Sequence, residues 1–390
     1  MMRYQDDDAM TFSVNGIPFT LNDIYATNGT CVLTPLQERL ARTWTYLDED
    51  LPDIADIPDD DEYRVFIDYV RQHRASYAFS DVRRLDFRSA LPDTVMKFPD
   101  IDYMADGGRA HKLDIFLPKD AYLRGDGDIP AIFNIHGGAF FYSFKEIQNT
   151  YAAQLASRGF AVVCPNYTLA PGGDFLDMLT DVSTALRWLV SNGDGWQLSA
   201  EQLFLVSDSA GALLGTFLLA CETNEELSSL LGIDSNHVRF QSVGFTSGML
   251  VYDHLFDALY PDSGELFEKL RPAFRTLISR LEGTPYERTE SLMRAIAYPP
   301  VWLSTSTDDF LENDALYATM LLRSMNCDHE LHDLRSVNGK RIPHDYPLMT
   351  WDSGSGELND AMMAFFREHL SPRTSLITPE ILRKLVEGLR

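Results

Sequence analysis

The sequence predicts an α/β fold, with a mostly parallel central sheet flanked by helices and a helical cap. From about residue 95 onward, short β-branched apolar runs alternate with segments of helical periodicity, which is typical of βαβ units. The apolar run at 203–207 breaks into small residues and resumes as a helical pattern at 212–219, as a strand turning sharply into a helix does. About fifty residues separate the strand-like runs 238–246 and 301–305, a length typical of a cap.

The remaining predicted elements complete this pattern in chain order. An alternating piece at 12–19 and a helical pattern at 36–47 precede the acid-rich and proline-rich stretch 48–61, and a helix is predicted at 63–77. A hairpin at 95–104 and 111–117 then leads to strand 129–135, helix 146–158, strand 161–165 and helix 175–190. The helix after the small-residue bend runs to about 225, and cap helices are predicted near 266–282 and 289–297. The closing elements are helix 312–325, strand 330–334 and helix 358–369.

Three parts of the chain are predicted from these elements. Residues 1–94 form an N-terminal extension that contributes to the cap, and 95–371 form the main domain, with the cap insertion at about 251–298. In the tail, 372–390, Thr378 is placed to cap a helix, Pro379 lies in its first turn and an apolar stripe follows. This helix packs on its own domain or forms a contact in a homodimer, and both alternatives stay open.

The composition indicates a globular protein with a substantial core. Hydrophobic residues make up 45% of the 390 residues and charged residues 23%, and no apolar run approaches the length of a membrane span. The N-terminus carries one basic residue and then acids, without an apolar stretch behind them, which favours a cytoplasmic location over secretion. The cysteines lack C-x-x-C spacing and are expected to be free thiols: Cys31, Cys164, Cys221 and Cys327.

The charge of the chain limits its partners. A formal net charge of −25 argues against binding to nucleic acid or an anionic membrane, which needs clustered Lys and Arg, and leaves a small molecule as the expected partner. The acids from Asp59 to Glu62 stand directly before a helical pattern, where the helix dipole favours carboxylates. Since consecutive carboxylates cannot converge on a cation, no metal site is predicted there.

The small-residue bend carries the candidate nucleophile, Ser209. A serine between a buried strand and a helix, with little side chain two residues away on each side, is the geometry of a nucleophile elbow. Gly211 meets that requirement, and Ser207 meets it approximately. A plain kink between two buried elements is the alternative interpretation of this window alone.

A serine hydroxyl needs a base, a carboxylate that orients the base and donors for the oxyanion. His344 lies in the loop after the last strand and is the candidate base, whereas His136 is interpreted as a structural residue of a turn. The carboxylate is expected in the loop after the preceding strand, where Asp309 is preferred and Asp308 is the alternative.

The oxyanion site is expected where a strand runs into the glycine pair that follows His136. The candidate donors are the exposed amides of Gly137, Gly138 and Ala139, joined by the amide of Ala210 at the start of the helix after Ser209. Glycine pairs also form ordinary turns, so this assignment depends on Ser209, Asp309 and His344 occurring together in this chain order.

These segments together resemble the α/β-hydrolase fold and, within it, the hormone-sensitive-lipase-like carboxylesterases, over about 95–370. Four blocks carry the resemblance: HGGAF at 136–140 is similar to the HGGG oxyanion motif, NYTLAP at 166–171 to DYRLAP, SDSAG at 207–211 to GDSAG, and DFLEND at 309–314 to DPLRDE. The segment that begins at His344 is similar to the HGF or HDF that carries the base. The resemblance marks Asp309, rather than Asp308, as the acid.

The resemblance implies a serine carboxylesterase that hydrolyses small acyl esters through an acyl-enzyme, without a cofactor. An amidase or peptidase of the same fold and a non-catalytic small-molecule-binding member are the alternatives. Ala139 and Ser207 replace two glycines of the family and are expected to narrow the oxyanion site. Thr168 and Gly172 replace the arginine and glutamate of the DYRLAPE block, which puts a polar contact that supports this loop in doubt.

Overall fold

The computed structural model describes residues 11–14, 17–20, 60–80, 91–125, 127–256, 268–336 and 341–371. The strands are β1 Thr11–Val14, β2 Ile17–Thr20, β3 Val95–Asp102, β4 Lys112–Pro118, β5 Ile129–Ile135, β6 Ala161–Pro165, β7 Leu198–Asp208, β8 Ser242–Thr246, β9 Val301–Ser306 and β10 His329–Leu334. The helices are α1 Asp61–Ser80, α2 Lys119–Arg124, α3 Asn149–Ser157, α4 Phe175–Asn192, α5 Ala210–Thr223, α6 Glu225–Leu231, α7 Arg275–Leu281, α8 Thr289–Ala295, α9 Glu312–Ser324 and α10 Ser353–Glu368.

One eight-stranded sheet contains the strands from β3 to β10, in the order β10-β9-β8-β7-β5-β6-β4-β3. Neighbours from β10 to β6 pair in parallel, and β4 pairs antiparallel with both β6 and β3. The predicted mostly parallel sheet with an antiparallel hairpin at one end is therefore confirmed. In such a sheet the carboxyl ends of the parallel strands meet at one edge, which is where ligand sites form.

The central strands are buried on both faces, so their sequences are apolar throughout rather than alternating. In β5, Phe133 and Ile135 belong to one buried cluster and Ile132 to the other. Helices α4 and α5 cover the first face and α3 and α10 the second. The predicted apolar stripe of α4 is buried along its whole length, from Phe175 to Leu189.

The carboxylates of Asp60 and Glu62, at the start of α1, contact backbone amides of that helix and Arg275 of α7. Asp60 accepts the amides of Glu62 and Tyr63 at 3.0 and 3.2 Å, and Asp60 and Glu62 both pair with Arg275 at 2.9 and 2.7 Å. The first contacts cap the helix, and the ion pairs tie α1 to α7. Among the described residues, no group of three or more His, Cys, Asp or Glu side chains is arranged to hold a metal ion.

The segment predicted as the cap insertion lies between β8 and β9. Its described part contains α7 and α8, and the amide of Tyr252 donates to the hydroxyl of Thr289 at 3.0 Å, which joins its two ends. The helices predicted at 36–47 and in the tail at 372–390 lie outside the described residues, as does Cys31, while Cys164, Cys221 and Cys327 are free thiols. The division into three parts stays a prediction.

Candidate active site

Ser209 sits at the bend between β7 and α5, with φ 48° and ψ −124°. This conformation is strained for a residue with a side chain, and strain of this kind persists only where the surroundings fix it. The amide of Ser209 donates to Thr246 of β8 at 3.1 Å, and its carbonyl accepts from the amide of Met249 at 2.9 Å. The neighbouring strand and its following loop thus hold the bend and present the hydroxyl at the sheet edge.

Small residues are needed around the bend because the helix comes close to two strands. A Cβ on Gly211 would lie 2.5 Å from the carbonyl oxygens of Ile135 and His136, which explains the glycine two residues after Ser209. Two residues before Ser209, the hydroxyl of Ser207 lies 2.9 Å from the place where a Cβ on Gly215 would stand. Ser207 therefore fits at this position because Gly215, which faces it from α5, carries no side chain.

His344 lies between Ser209 and Asp309. Its Nε2 is 2.9 Å from the hydroxyl oxygen of Ser209, and its Nδ1 is 2.8 Å from Oδ1 of Asp309. An acceptor on Nδ1 places the proton there and leaves Nε2 free to accept the serine proton. The ring of Phe310 covers the imidazole with centroids 4.5 Å apart, although 67% of Phe310 is exposed.

The carboxylate of Asp309 is placed to hold that tautomer. Burial raises its pKa, but hydrogen bonds from His344, the nearby Ser247 hydroxyl and the Leu311 amide, together with the charge of His344, outweigh burial, so the pKa of Asp309 lies below its ordinary value. Asp308, the other candidate, accepts instead from the amide of Ile342 at 2.8 Å and from Ser336. Of the two, only Asp309 contacts the imidazole.

The oxyanion loop, residues 137–144, follows β5 and faces Ser209. The amide of Gly137 donates to Oδ2 of Asp208 at 3.0 Å, so this amide is already used and the prediction that it binds an oxyanion is not supported by the geometry. Within the described residues, the amides of Gly138, Ala139 and Ala210 have no acceptor among the hydrogen bonds of the structure. These three are the free donors near the serine, and Gly138 must be a glycine because its φ is 111° and a Cβ would lie 2.1 Å from the Tyr142 carbonyl oxygen.

His136 and Asp208 fix the base of this loop. Burial lowers the pKa of His136 to about 4, against a smaller opposing effect of the hydrogen bond to the Gly137 carbonyl, and its ring stacks on Tyr167 with centroids 4.3 Å apart. It is a neutral structural residue, as the sequence indicated. Asp208 is 3% exposed and also accepts from Gln148 at 3.1 Å. Sequence analysis missed the role of Asp208 in holding Gly137, because nothing in the motif shows which way its carboxylate turns.

Comparisons with known proteins agree with this architecture. The family model described as BD-FAE matches residues 113–248. An isoprenylcysteine alpha-carbonyl methylesterase from Arabidopsis thaliana is 24% identical over 302 residues, which cover 72% of this chain and 66% of the relative. A kynurenine formamidase from Danio rerio is 32% identical over 111 residues, 28% of this chain and 35% of that protein. The crystal structure of esterase B from Lactobacillus rhamnosis matches with a TM-score of 0.68 at 21% identity, over 79% of this chain and 96% of that chain.

The chain has the α/β-hydrolase fold of these esterases. The chain spans just under two thirds of the length of the Arabidopsis methylesterase, at 66%. In the described part of the chain, no helix is long and apolar enough to cross a membrane.

The loop at 166–171 is anchored to α4. The amide of Thr168, which replaces the family's arginine, donates to Oδ2 of Asp181 on α4 at 2.9 Å. Nε2 of His111 lies 3.3 Å from the same oxygen, and its Nδ1 contacts Asp106. Asp181 of α4 thus anchors this loop, together with His111.

Ser247 is a second residue that the sequence did not reveal. It follows β8 with φ 47°, is 3% exposed, and its hydroxyl oxygen accepts from the amide of Asp345 at 2.9 Å. Since Asp345 directly follows His344, this contact fixes the backbone that carries the imidazole. Only the coordinates show the positive φ of Ser247, because serine rarely adopts this region of backbone conformation and the sequence gives no sign of it.

Proposed function

We propose that the hydrolase is a serine carboxylesterase that cleaves small acyl esters through an acyl-enzyme. The observation that carries the proposal is the continuous contact from Ser209 to His344 to Asp309, at 2.9 and 2.8 Å. Both distances are within the range in which a base can take the proton of a nucleophile. The esterases and the methylesterase among the similar proteins favour an ester substrate.

In the proposed reaction, the Ser209 hydroxyl oxygen attacks the acyl carbon while its proton passes to Nε2 of His344. Asp309 keeps the Nδ1 proton in place and stabilises the imidazolium that forms. The amides of Gly138, Ala139 and Ala210 donate to the oxyanion of the tetrahedral intermediate. The imidazolium then gives its proton to the leaving alcohol, and a water molecule activated by the same imidazole hydrolyses the acyl-enzyme. Apart from that water molecule, each step uses only side chains and amides of this chain, so the proposed reaction needs no cofactor.

Two alternatives to an esterase are an amidase and a non-catalytic binding protein. Cleavage of an amide bond is favoured by the similarity to kynurenine formamidase over 28% of the chain. A non-catalytic binding protein would not require the alignment of serine, imidazole and carboxylate described above.

The test measures hydrolysis of p-nitrophenyl acetate, butyrate and octanoate, and of the matched anilides, by the full chain and by Ser209→Ala. We expect esters to turn over faster than anilides, and Ser209→Ala to lose at least about 10⁴-fold in kcat. The control is Ser207→Ala, which removes a hydroxyl two residues away and is expected to keep kcat within threefold.

Labelling with a fluorophosphonate probe complements the kinetics. The proposal requires that the probe modifies Ser209 and that prior labelling abolishes ester hydrolysis. Activity retained by Ser209→Ala, or an intact hydroxyl at Ser209 after exposure to the probe, would reject it. If the anilides turn over faster than the matched esters, the protein is an amidase rather than an esterase.

A further inference from the structure

The oxyanion loop has an unusual backbone. Four of its residues have positive φ: Gly138 at 111°, Ala139 at 52°, Phe140 at 68° and Ser143 at 85°. Three of these carry side chains, for which this region of backbone conformation is unfavourable. The loop therefore depends on contacts from outside itself to hold the amides of Gly138 and Ala139 in place.

A buried cation from a distant part of the chain makes such contacts. Arg74 of α1 is only 2% exposed, and its Nε donates to the carbonyl oxygen of Phe141 in the oxyanion loop at 2.6 Å. Its Nη2 donates to the carbonyl oxygen of Ala170 at 2.8 Å. The amide of Ala170 in turn donates to the carbonyl oxygen of Phe140 at 2.9 Å. One guanidinium thus joins the oxyanion loop and the loop at 166–171.

Aromatic side chains of α1 reinforce the contact. The ring of Tyr77 stacks on Phe141 with centroids 5.5 Å apart, and Tyr69 meets the edge of the same ring at 5.7 Å. Phe141 is fully buried. The rings and the guanidinium therefore hold the middle of the loop, next to its free amides.

We infer that Arg74 is a positioning residue for the oxyanion hole, an inference that rests on the proposed esterase function. Arg74 fixes the carbonyl of Phe141, and with it the turn that aims the Gly138 and Ala139 amides at the oxyanion. The planar guanidinium suits this task because its N–H groups donate in fixed, divergent directions to two carbonyl oxygens. A lysine ammonium is a compact charge on a flexible stem and cannot reproduce both directions.

A positioning role of this kind has a kinetic signature. The oxyanion exists only in the transition state and the intermediate, so misplaced donors slow the chemical step and leave ground-state binding nearly unchanged. Loss of one oxyanion donor costs about 10²- to 10³-fold in kcat, and misplacement of two should cost about 10- to 100-fold. A merely structural role of Arg74 would instead lower the melting temperature without separating kcat from KM.

The experiment compares the full chain with Arg74→Ala, Arg74→Lys and a control, Arg64→Ala. Arg64 lies on the same helix, and its side chain is 49% exposed and 3.8 Å from Asp61. We measure kcat and KM for p-nitrophenyl acetate, the melting temperature, and the recovery of kcat when methylguanidine is added to Arg74→Ala. The fluorophosphonate probe counts functional Ser209 in each variant.

We expect the kcat of Arg74→Ala to be at least tenfold below that of the wild type, with KM within threefold. The kcat of Arg74→Lys should fall less, and methylguanidine should restore part of the kcat of Arg74→Ala. The control Arg64→Ala should have the kcat and KM of the wild type. A kcat within threefold for Arg74→Ala, or an equal loss in Arg64→Ala, overturns the inference. If Arg74→Ala does not fold, Arg74→Lys decides: a lowered kcat at an unchanged melting temperature supports the inference, and an unchanged kcat overturns it. Absence of ester hydrolysis by the wild type would instead overturn the proposed function, and this inference with it.

Discussion

Replacement of Asp309 by asparagine separates the charge of the proposed triad, Ser209, His344 and Asp309, from its geometry. In the wild type, Oδ1 of Asp309 accepts from two donors at once, Nδ1 of His344 at 2.8 Å and the amide of Leu311 at 2.9 Å. The Leu311 amide cannot turn away, so it requires an oxygen at this position. Asparagine at 309 should therefore keep its carbonyl oxygen towards His344 and preserve the imidazole tautomer, while the negative charge is lost.

The size of the effect follows from that geometry. Charges of opposite sign about 4 Å apart attract by about 4 kcal/mol at the effective dielectric constant of about 20 that suits protein sites. Because the His344 side chain is 23% exposed, solvent screening reduces this attraction to the imidazolium. A loss of about 3 to 4 kcal/mol corresponds to a fall of about 10²- to 10³-fold in kcat. Loss of the tautomer as well would give about 10⁴-fold.

The assay is steady-state hydrolysis of p-nitrophenyl acetate by Asp309→Asn and by Asp308→Asn as a matched control. Asp308 neighbours Asp309 but accepts from Ile342 and Ser336, so its kcat should stay within threefold of the wild type. A fall of less than tenfold for Asp309→Asn, or a comparable fall for Asp308→Asn, would refute the argument. A fall near 10⁴-fold would show that the Leu311 amide does not fix the orientation of the side chain.

Two further predictions concern residues around the triad. Gly138→Ala should lower kcat by at least about 10²-fold, because its Cβ would lie 2.1 Å from the Tyr142 carbonyl oxygen; wild-type kinetics for this variant would contradict the assigned loop. Burial, opposed by the amides of Leu250 and Val251 and aided by the charge of Asp309, raises the pKa of Asp314 to about 6. In the unfolded chain the pKa of Asp314 is near 4, so its raised pKa stabilises the fold below pH 4, and this stabilisation is lost as the pH rises through 6. Between pH 4 and pH 7 the free energy of unfolding of the wild type should therefore fall, relative to that of Asp314→Asn, by up to about 3 kcal/mol. Urea unfolding of both proteins across this range measures it, and parallel pH profiles would contradict it.

The sequence predicted the parts of the fold that depend on local pattern. Strands 129–135 and 161–165 were predicted residue for residue, because continuous apolar runs bounded by turn residues define them. The long strand β7 begins at Leu198 rather than near 203, because Leu198 pairs with Ile129 across the sheet, and the polar residues between carry no strand signal. Conversely, β8 begins at Ser242 rather than 238, because the amide of Val238 donates to Glu222 instead of to a neighbouring strand.

The candidate triad could be predicted because topology brings it together. Ser209, Asp309 and His344 each follow a parallel strand, and such strands end at one edge of the sheet. The supporting contacts could not be predicted, because they depend on side-chain directions between distant segments. Asp208 and Gly137 are 71 residues apart, and Arg74 and Ala170 are 96 apart.

The attachment of α1 to residues far along the chain has a consequence during synthesis. Phe66, Ile67 and Val70 of α1 are buried in the finished protein, and α1 packs on the turn Arg271–Phe274. Roughly 200 residues must emerge from the ribosome between the helix and that turn, which takes about 10 to 40 s at ordinary rates of translation. Throughout that interval the part of α1 that packs on this turn stays exposed, and exposed apolar surface of this kind is what chaperones bind.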